Sequence, residues 1–479
     1  MKKTVYTKAG QVGLVEVERP QIEAPDDVIL RIVRTCVCGS DLWSYRNPDI
    51  EAGHQNSGHE AIGIVEEIGE AITTVKPGDF VIAPFTHGCG ECDACRAGYD
   101  GTCDRHIGTN WSDGVQAEYM RFEYANWALV KIPGQPSDYT EGMLKSLLTL
   151  ADVMPTGYHA ARVADVQKGD KVVVIGDGTV GQCAVIAAKM RGASQIVLMS
   201  RHEDRQQMAL EFGATAVVAE RGEEGIAKVR EILGGGADAA LECVGTAAAV
   251  DQALGVLHNG GRLGFVGVPH YNNRALGSTF AQNITVAGGA ASVTTYDKQV
   301  LLKAVLDGDI NPGRVFTHSY SLDEIDQAYK DMDERIAAVR AKMPQESKRI
   351  AILHSTAQNV TVQLEGSIAG STAQLLGFTN IAAGSMPLEN NSTAAPYSLE
   401  TLVAANPDII YITSMGKLET VQDAMLKSIS ASPAWQSLAA VRSGHVYFLP
   451  QELFLLSPGI KYPQAAEYMA KLAYPEKFE

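Results

Sequence analysis

The stretch VVVIGDGTVG, Val172 to Gly181, decides the fold. Four branched apolar residues run straight into a glycine-rich turn, and QCAVIAAKMRGA after it has the texture of a helix. A near-continuous apolar run is what a strand buried on both faces of a parallel sheet requires. Gly176, Gly178 and Gly181 form G-x-G-x-x-G between that strand and that helix. In this context the glycines let the backbone approach a pyrophosphate at a helix N-terminus. Gly176, Gly178, Thr179, Val180 and Gly181 are therefore candidate cofactor-binding positions.

Outward from this turn the pattern repeats. QIVLMS reads as the next strand, with further strand-like runs at ADAALECVG and GGRLGFVGV. The alternation predicts a doubly wound α/β domain reaching to about residue 290. The preceding ~150 residues carry short β-like runs, VILRIVRT, GIVEEIG and DFVIA, punctuated by Gly and Pro as in KPGD. They predict a mainly β domain with irregular loops. Residues 290 to 345 hold more helix, such as SLDEIDQAYKDMDERI. A break falls at MPQESKR, Met343 to Arg349. Beyond it RIAILHST, LETLVAANPDIIYIT, GHVYFLP and PQAAEYMAKLAYP read as a second α/β series.

A chain of 479 residues accommodates two to four domains, and 46% hydrophobic with 20% charged residues is ordinary globular composition. A formal charge of −16 argues against nucleic acid or an anionic membrane as the main partner. The opening MKKTVYTKAGQVGLVEV has two lysines but no apolar run behind them, so no signal peptide is expected. No window approaches the roughly 18 apolar residues of a spanning helix. Eight cysteines, half of them clustered, suit metal binding in a reducing compartment better than disulfides, and a cytoplasmic location is expected.

The cluster is HGCGECDACRAGYDGTC, His87 to Cys103. Cys89, Cys92, Cys95 and Cys103 have the spacing C-x2-C-x2-C-x7-C, which lets consecutive thiolates wrap one ion. Four thiolates close the shell of a zinc ion and leave no position for substrate, so the site reads as structural. An iron–sulfur cluster is the other chemistry four thiolates suit. An open metal site must then lie elsewhere. CVCGSD offers the Cys38 thiolate, and SGHEAIG offers the His59 imidazole. Asp41 and Glu60 lie beside them, able to orient ligands. A Cys and a His this far apart also fit a buried thiol and a hydrogen-bonded core histidine.

The strand after a dinucleotide turn normally ends in an acid that binds the adenosine ribose. Here QIVLMSRHEDR places Ser200 at that point, with Arg201 next and Arg205 close behind. Without the carboxylate, repulsion is lost and Arg201 can pair with a 2′-phosphate, which favours NADP(H) over NAD(H). The alternative is that Glu203 or Asp204 supplies the carboxylate and NAD(H) is used.

Together GHEAIGIVEEIG, VKPGDFV, the four-cysteine lobe, the G-x-G-x-x-G turn and the run Asp113 to Tyr119 resemble the zinc-dependent medium-chain alcohol dehydrogenases over residues 1–345. The resemblance implies a GroES-like catalytic domain over 1–152, completed by 291–345, and a Rossmann domain over 153–290. It makes Cys38 and His59 ligands of a catalytic zinc, with Asp152 of TLADVMPTGYHAAR where many members have Cys; a carboxylate oxygen is an acceptable zinc ligand. Two zinc ions per chain follow, one catalytic and one structural. Glu60 resembles the family's glutamate near zinc, and Ser40 its proton-relay hydroxyl. Thr156 would lie near the nicotinamide, and Val244 and Gly267 would line the cofactor cleft. Where many members end the relay on a histidine this chain has Trp43 and Ser44; either the cofactor ribose and solvent finish the relay or another histidine does, with His54 and His159 as candidates, and Trp43 and Trp111 would shape the substrate pocket.

The implied activity is hydride transfer between NADP(H), or NAD(H), and a small alcohol, aldehyde or ketone, in a homo-dimer or homo-tetramer. An NAD-dependent polyol or threonine dehydrogenase is the rival within the class. Residues 346–479, through SLETLVAANPDIIYIT and SGHVYFLP, resemble one lobe of the substrate-binding proteins of iron-siderophore and cobalamin uptake. A fusion follows, and a metal- or siderophore-binding protein with an inactive dehydrogenase body is the reading from another class.

Overall fold

The computed structural model describes the chain apart from residues 48–49, 54–56, 106–113, 270–276, 334–337, 340–341, 345–346, 356–359, 365–366, 389–392, 397, 415–431, 455–461 and 479. It divides into two compact units. The first comprises Met1–Lys3, Glu16–Cys36 and Asn56–Ser319; the second comprises Thr4–Val15, Val37–Gln55 and Tyr320–Glu479.

The first unit holds two sheets. The expected β-rich part is a five-stranded antiparallel sheet in the order Tyr119–Phe122, Val28–Thr35, Ala61–Ile68, Phe80–Ala83, Val130–Ile132. Because side chains alternate across a strand, each face gathers its own set. Val28, Leu30, Val65, Val81, Met120 and Phe122 fill one side; Ile62, Ile64, Phe80, Ile82 and Ile132 fill the other. The second sheet is six-stranded and parallel, ordered Ala216–Val218, Gln195–Met199, Lys171–Ile175, Ala237–Glu242, Leu257–Phe265, Thr285–Gly288. In chain order this is 3-2-1-4-5-6, the doubly wound arrangement that puts ligands at the carboxyl ends of the strands. Ile175 lies level with both Met199 and Glu242, and Glu242 with Phe265, so those ends line up. Val172 and Val174 point into one core and Val173 and Ile175 into another, so the opening stretch is buried on both faces as its composition requires.

The helix Val153–Val163 packs against the helix Thr179–Met190 and the strand Leu257–Phe265 at two glycines. A Cβ on Gly157 would fall 2.6 Å from the Ala184 nitrogen, and one on Gly264 would fall 2.2 Å from the Ala160 oxygen. The backbones approach to a distance that no side chain permits, which fixes where the start of this helix lies.

In the second unit, the Thr4–Val15 part of the hairpin strands Lys2–Lys8 and Gln11–Glu16, the helix Asp41–Arg46 and the helix Ile325–Met332 meet around Tyr6, Val12, Leu42, Tyr45, Ile325 and Tyr329. The Tyr6 and Tyr329 hydroxyls are 3.2 Å apart, and Arg46 makes a two-pronged contact with buried Asp333 at 2.9 and 3.0 Å. The tail forms a sheet ordered Ala394–Pro396, Val360–Gln363, Arg349–Ser355, Ile409–Ser414, Val446–Phe448, mixed in direction. Ile350, Ile352 and Tyr411 pack on the helices Ile368–Leu375 and Tyr462–Ala473; Ala351, Leu353, Ile410 and Ile412 pack on Leu402, Trp435 and Leu438. Among the described residues, the apolar clusters of this sheet include none before Val339.

Candidate functional site

His59 and Glu60 are the two residues before the strand Ala61–Ile68, and Asp152 immediately precedes the helix Val153–Val163. Gly58 turns the chain into His59 with φ +71°, and a Cβ there would fall 2.6 Å from Gln116 Cγ. Gln116 in turn donates through Nε2 to the Cys36 carbonyl at 2.9 Å. His59 Nε2 lies 3.3 Å from Asp152 Oδ2 and 3.9 Å from Glu60 Oε1. The Thr156 hydroxyl donates to Asp152 Oδ1 at 2.6 Å, one helical turn along. Ligand atoms of His59, Glu60 and Asp152 lie within 4.8 Å of one another, and the three residues are only 5%, 1% and 7% exposed. Two carboxylates beside an imidazole in so dry a place carry charge that burial penalises, and a divalent cation compensates it. The donor set fits zinc on that ground.

Cys38 and Ser40 belong to the second unit. Cys38 is half-buried and its backbone N–H donates to Asp41 Oδ2 at 2.9 Å, so Asp41 orients this segment as its position suggests. Ser40 is exposed at the start of the helix Asp41–Arg46, and Trp43 is exposed on it. His159 is buried, with Nδ1 2.5 Å from the Tyr296 hydroxyl, and burial followed by the Arg162 charge lowers its pKa to about 4. A ring held neutral against a tyrosine is a packing element of the helix. His54, Trp111 and Asp113 lie outside the described residues.

The four cysteines of the loop converge. Their sulfurs lie within 4.8 Å of one another, with Cys92 and Cys103 3.8 Å apart. Zinc–thiolate bonds of about 2.3 Å put tetrahedral sulfurs about 3.8 Å apart. The Cys89 sulfur accepts N–H groups from Glu91 and Cys92 at 3.4 and 3.3 Å. Burial pushes the Cys89 thiol up, but those two donors outweigh it and bring it to about 7; Cys95, deeper, is pushed well up by burial. Gly90 takes φ +75°, and a Cβ there would strike the Trp127 ring at 2.6 Å. The loop is thus preshaped to gather four sulfurs around one point, and all eight cysteines of the chain are free thiols.

At the G-x-G-x-x-G turn, Gly176 has φ +108° and lies under Val244, whose Cγ2 would sit 2.7 Å from an added Cβ. A Cβ on Gly181 would lie 1.9 Å from the Gly176 oxygen, and one on Gly267 2.1 Å from the Gly245 nitrogen. Gly176, Val244 and Gly267 therefore meet at the carboxyl ends of neighbouring strands. Gly178 has open space around it and caps the helix Thr179–Met190, whose first residues are Thr179 and Val180. Two acids that no sequence pattern singles out stand here. Glu242 accepts the N–H groups of Val244 and Gly245 at 2.8 and 2.7 Å, holding the turn that carries Val244. Asp177, inside the glycine motif, accepts the Ser200 hydroxyl at 2.6 Å, the His202 ring at 2.7 Å and Arg205 at 3.4 Å. Its position between two motif glycines was visible; its partners were not, because they arrive from the next strand. Arg201 is exposed.

The models of the alcohol dehydrogenase GroES-like domain and of the zinc-binding dehydrogenase family match residues 24–134 and 179–304. An uncharacterized zinc-type alcohol dehydrogenase-like protein of Bacillus subtilis is 31% identical over 374 residues, covering 70% of this chain and 97% of the relative. The chain belongs to the zinc-type alcohol dehydrogenases. An L-threonine 3-dehydrogenase of Caldanaerobacter subterraneus is 32% identical to this dehydrogenase, covering 67% of it and 91% of the relative. The solved alcohol dehydrogenase from Thermus sp. ATN1 superposes with a TM-score of 0.64 at 31% identity, over 70% of the dehydrogenase and 97% of that chain. A periplasmic binding protein model matches residues 315–453, in keeping with the resemblance of the tail. Among the described residues of the dehydrogenase, no helix is long and apolar enough to cross a membrane.

Proposed function

We propose that this dehydrogenase transfers hydride between a small alcohol, aldehyde or ketone and NADP(H), with NAD(H) as a weaker alternative, using one catalytic and one structural zinc per chain. The observation that carries the reading is the buried meeting of His59, Glu60 and Asp152 in the same unit as a 3-2-1-4-5-6 sheet with a glycine cradle at its carboxyl edge. Cys38, His59 and Asp152 would hold the catalytic ion, Cys38 by its place in the family pattern. When bound, zinc supplies a Lewis acid that polarises the substrate oxygen. The protein's own part is to fix the ligands. Thr156 binds Asp152 Oδ1 and so leaves Oδ2 on the His59 side. Glu60 keeps a second carboxylate within reach of the same point. Ser40 is assigned to the proton relay on the family pattern. Cys89, Cys92, Cys95 and Cys103 would hold the structural ion, which has no open position for chemistry.

NADP(H) preference rests on Ser200 and Arg201 standing where an acid is usual. The observation favouring the NAD(H) reading, and with it a polyol or threonine dehydrogenase, is the carboxylate of Asp177 against Ser200. Residues 346–479 are proposed as an appended lobe, beyond a catalytic domain of 1–152 with 291–345 and a Rossmann domain of 153–290. A cytoplasmic homo-dimer or homo-tetramer completes the proposal. The deciding test follows NADPH and NADH absorbance with zinc-loaded protein and a panel of aldehydes and ketones. Oxidation of NADPH faster than NADH by at least one carbonyl is expected; no oxidation of either overturns the enzyme reading.

A further inference from the structure

Asp177 stands out because nothing about a pyrophosphate turn requires an acid there. It is 9% exposed, and both its oxygens are engaged: Oδ2 by the Ser200 hydroxyl and the His202 ring, Oδ1 by Arg205. Gln182, on the helix behind the turn, ties the same elements together by donating to the Arg205 carbonyl at 2.9 Å and the Asp177 carbonyl at 3.4 Å. Burial pushes the Asp177 carboxyl up, but the Ser200 hydroxyl and the His202 ring, with the Arg205 charge, bring it below the usual carboxylate range. It is therefore ionised at neutral pH.

From this geometry we infer that Asp177 is a cofactor-specificity residue that holds back the preference for the 2′-phosphate, an inference that rests on reading the turn as a dinucleotide site. Replacing the usual strand-end acid by Ser200 does not remove negative charge from this corner; Asp177 restores it from the preceding turn, in contact with Ser200 itself. Two effects have the same sign. The carboxylate repels a 2′-phosphate directly, and it neutralises Arg205, which would otherwise be a phosphate partner. Arg201 is left as the cation on the phosphate side, so the enzyme uses both cofactors instead of rejecting NAD(H). The ribose hydroxyls of NAD(H) lose nothing by the arrangement, since a carboxylate is the group that usually receives them.

The test is Asp177→Asn, which keeps the shape and most hydrogen bonds and removes the charge, with Asp177→Ser as a second variant should the first fold poorly. The readouts are the kcat/KM ratio for NADPH over NADH in zinc-loaded enzyme and, independently of turnover, calorimetric Kd values for 2′,5′-ADP and 5′-AMP. Both ratios should move toward the phosphorylated ligand by about tenfold, chiefly through tighter binding. Unchanged ratios, or a shift toward NADH and 5′-AMP, overturn the assignment while the dinucleotide reading stands. If the parent protein binds none of the four nucleotides, the reading of the turn fails and the inference with it.

Discussion

Asp152 shows how one side chain can join two roles. One oxygen accepts the Thr156 hydroxyl and the other faces His59, so the carboxylate is held by its own helix and aimed at a neighbouring segment. Asp152→Ala should lower bound catalytic zinc to about one ion per chain in total, measured by metal analysis, and reduce kcat by at least about 10²-fold. Two retained ions and full activity would reject the ligand assignment. His159, a single turn beyond Thr156, is a residue of another kind. Its pKa, lowered to about 4 by burial, lies below the ordinary value of about 6.5 for an unfolded chain. Folding therefore disfavours its protonated form. Its contribution to stability is complete above about pH 6.5 and is lost as the pH falls toward about 4. Denaturant midpoints across that window should fall with acid, and His159→Gln should flatten the slope; an unchanged slope would assign the effect to other groups. The residue scale is also where legibility in the sequence was most uneven. Cys89 to Cys103 could be read because their spacing is local. Asp152 could be read only through family resemblance, since its partner is His59, 93 positions away. Asp177 could not be read at all, because its meaning comes from Ser200, His202 and Arg205 crossing from a different strand end.

Elements were legible where their pattern was strong and strictly local. The run Val172–Ile175 and the glycines after it specify a strand, a turn and a helix with little help from distant residues, and the structure has all three. The strand Leu257–Phe265 starts before the run GGRLGFVGV that announces it: Leu257 lies opposite Ala237, the register then shifts, and regular pairing resumes with Arg262 opposite Ala239. The four-cysteine loop has very little regular structure, one helical turn from Asp93 to Arg96 and a 3-10 turn from Asp100 to Thr102. Its shape depends on Gly90 packed under Trp127 and on sulfurs brought near one another, not on a ladder of backbone hydrogen bonds. Cys92→Ser should therefore act on stability, lowering the Tm of the transition that unfolds the first unit by about 5 °C or more and releasing one zinc. Soluble protein that remains folded should keep kcat/KM within about threefold. A variant of unchanged Tm that has lost turnover would place chemistry in this loop and contradict the structural role.

At the scale of the whole molecule, the tail was legible as a second α/β series but not as to its purpose. Its sheet buries both faces against its own helices. The N-terminal hairpin approaches it at Gly10, where an added Cβ would sit 2.8 Å from Leu375. Removal of residues 346–479 should leave a soluble dehydrogenase with kcat/KM within about threefold of the full chain, assayed with the same carbonyl panel. A soluble but inactive product would make the tail integral to catalysis. Among the described residues, the two apolar cores of the tail's sheet are built within residues 339–478. Cooperativity in unfolding comes from residues that lose their neighbours together, and cores contained in one stretch of chain can lose theirs without the rest. Heat should then be taken up in two separable calorimetric events, each with its own enthalpy, so that no single melting temperature describes the chain.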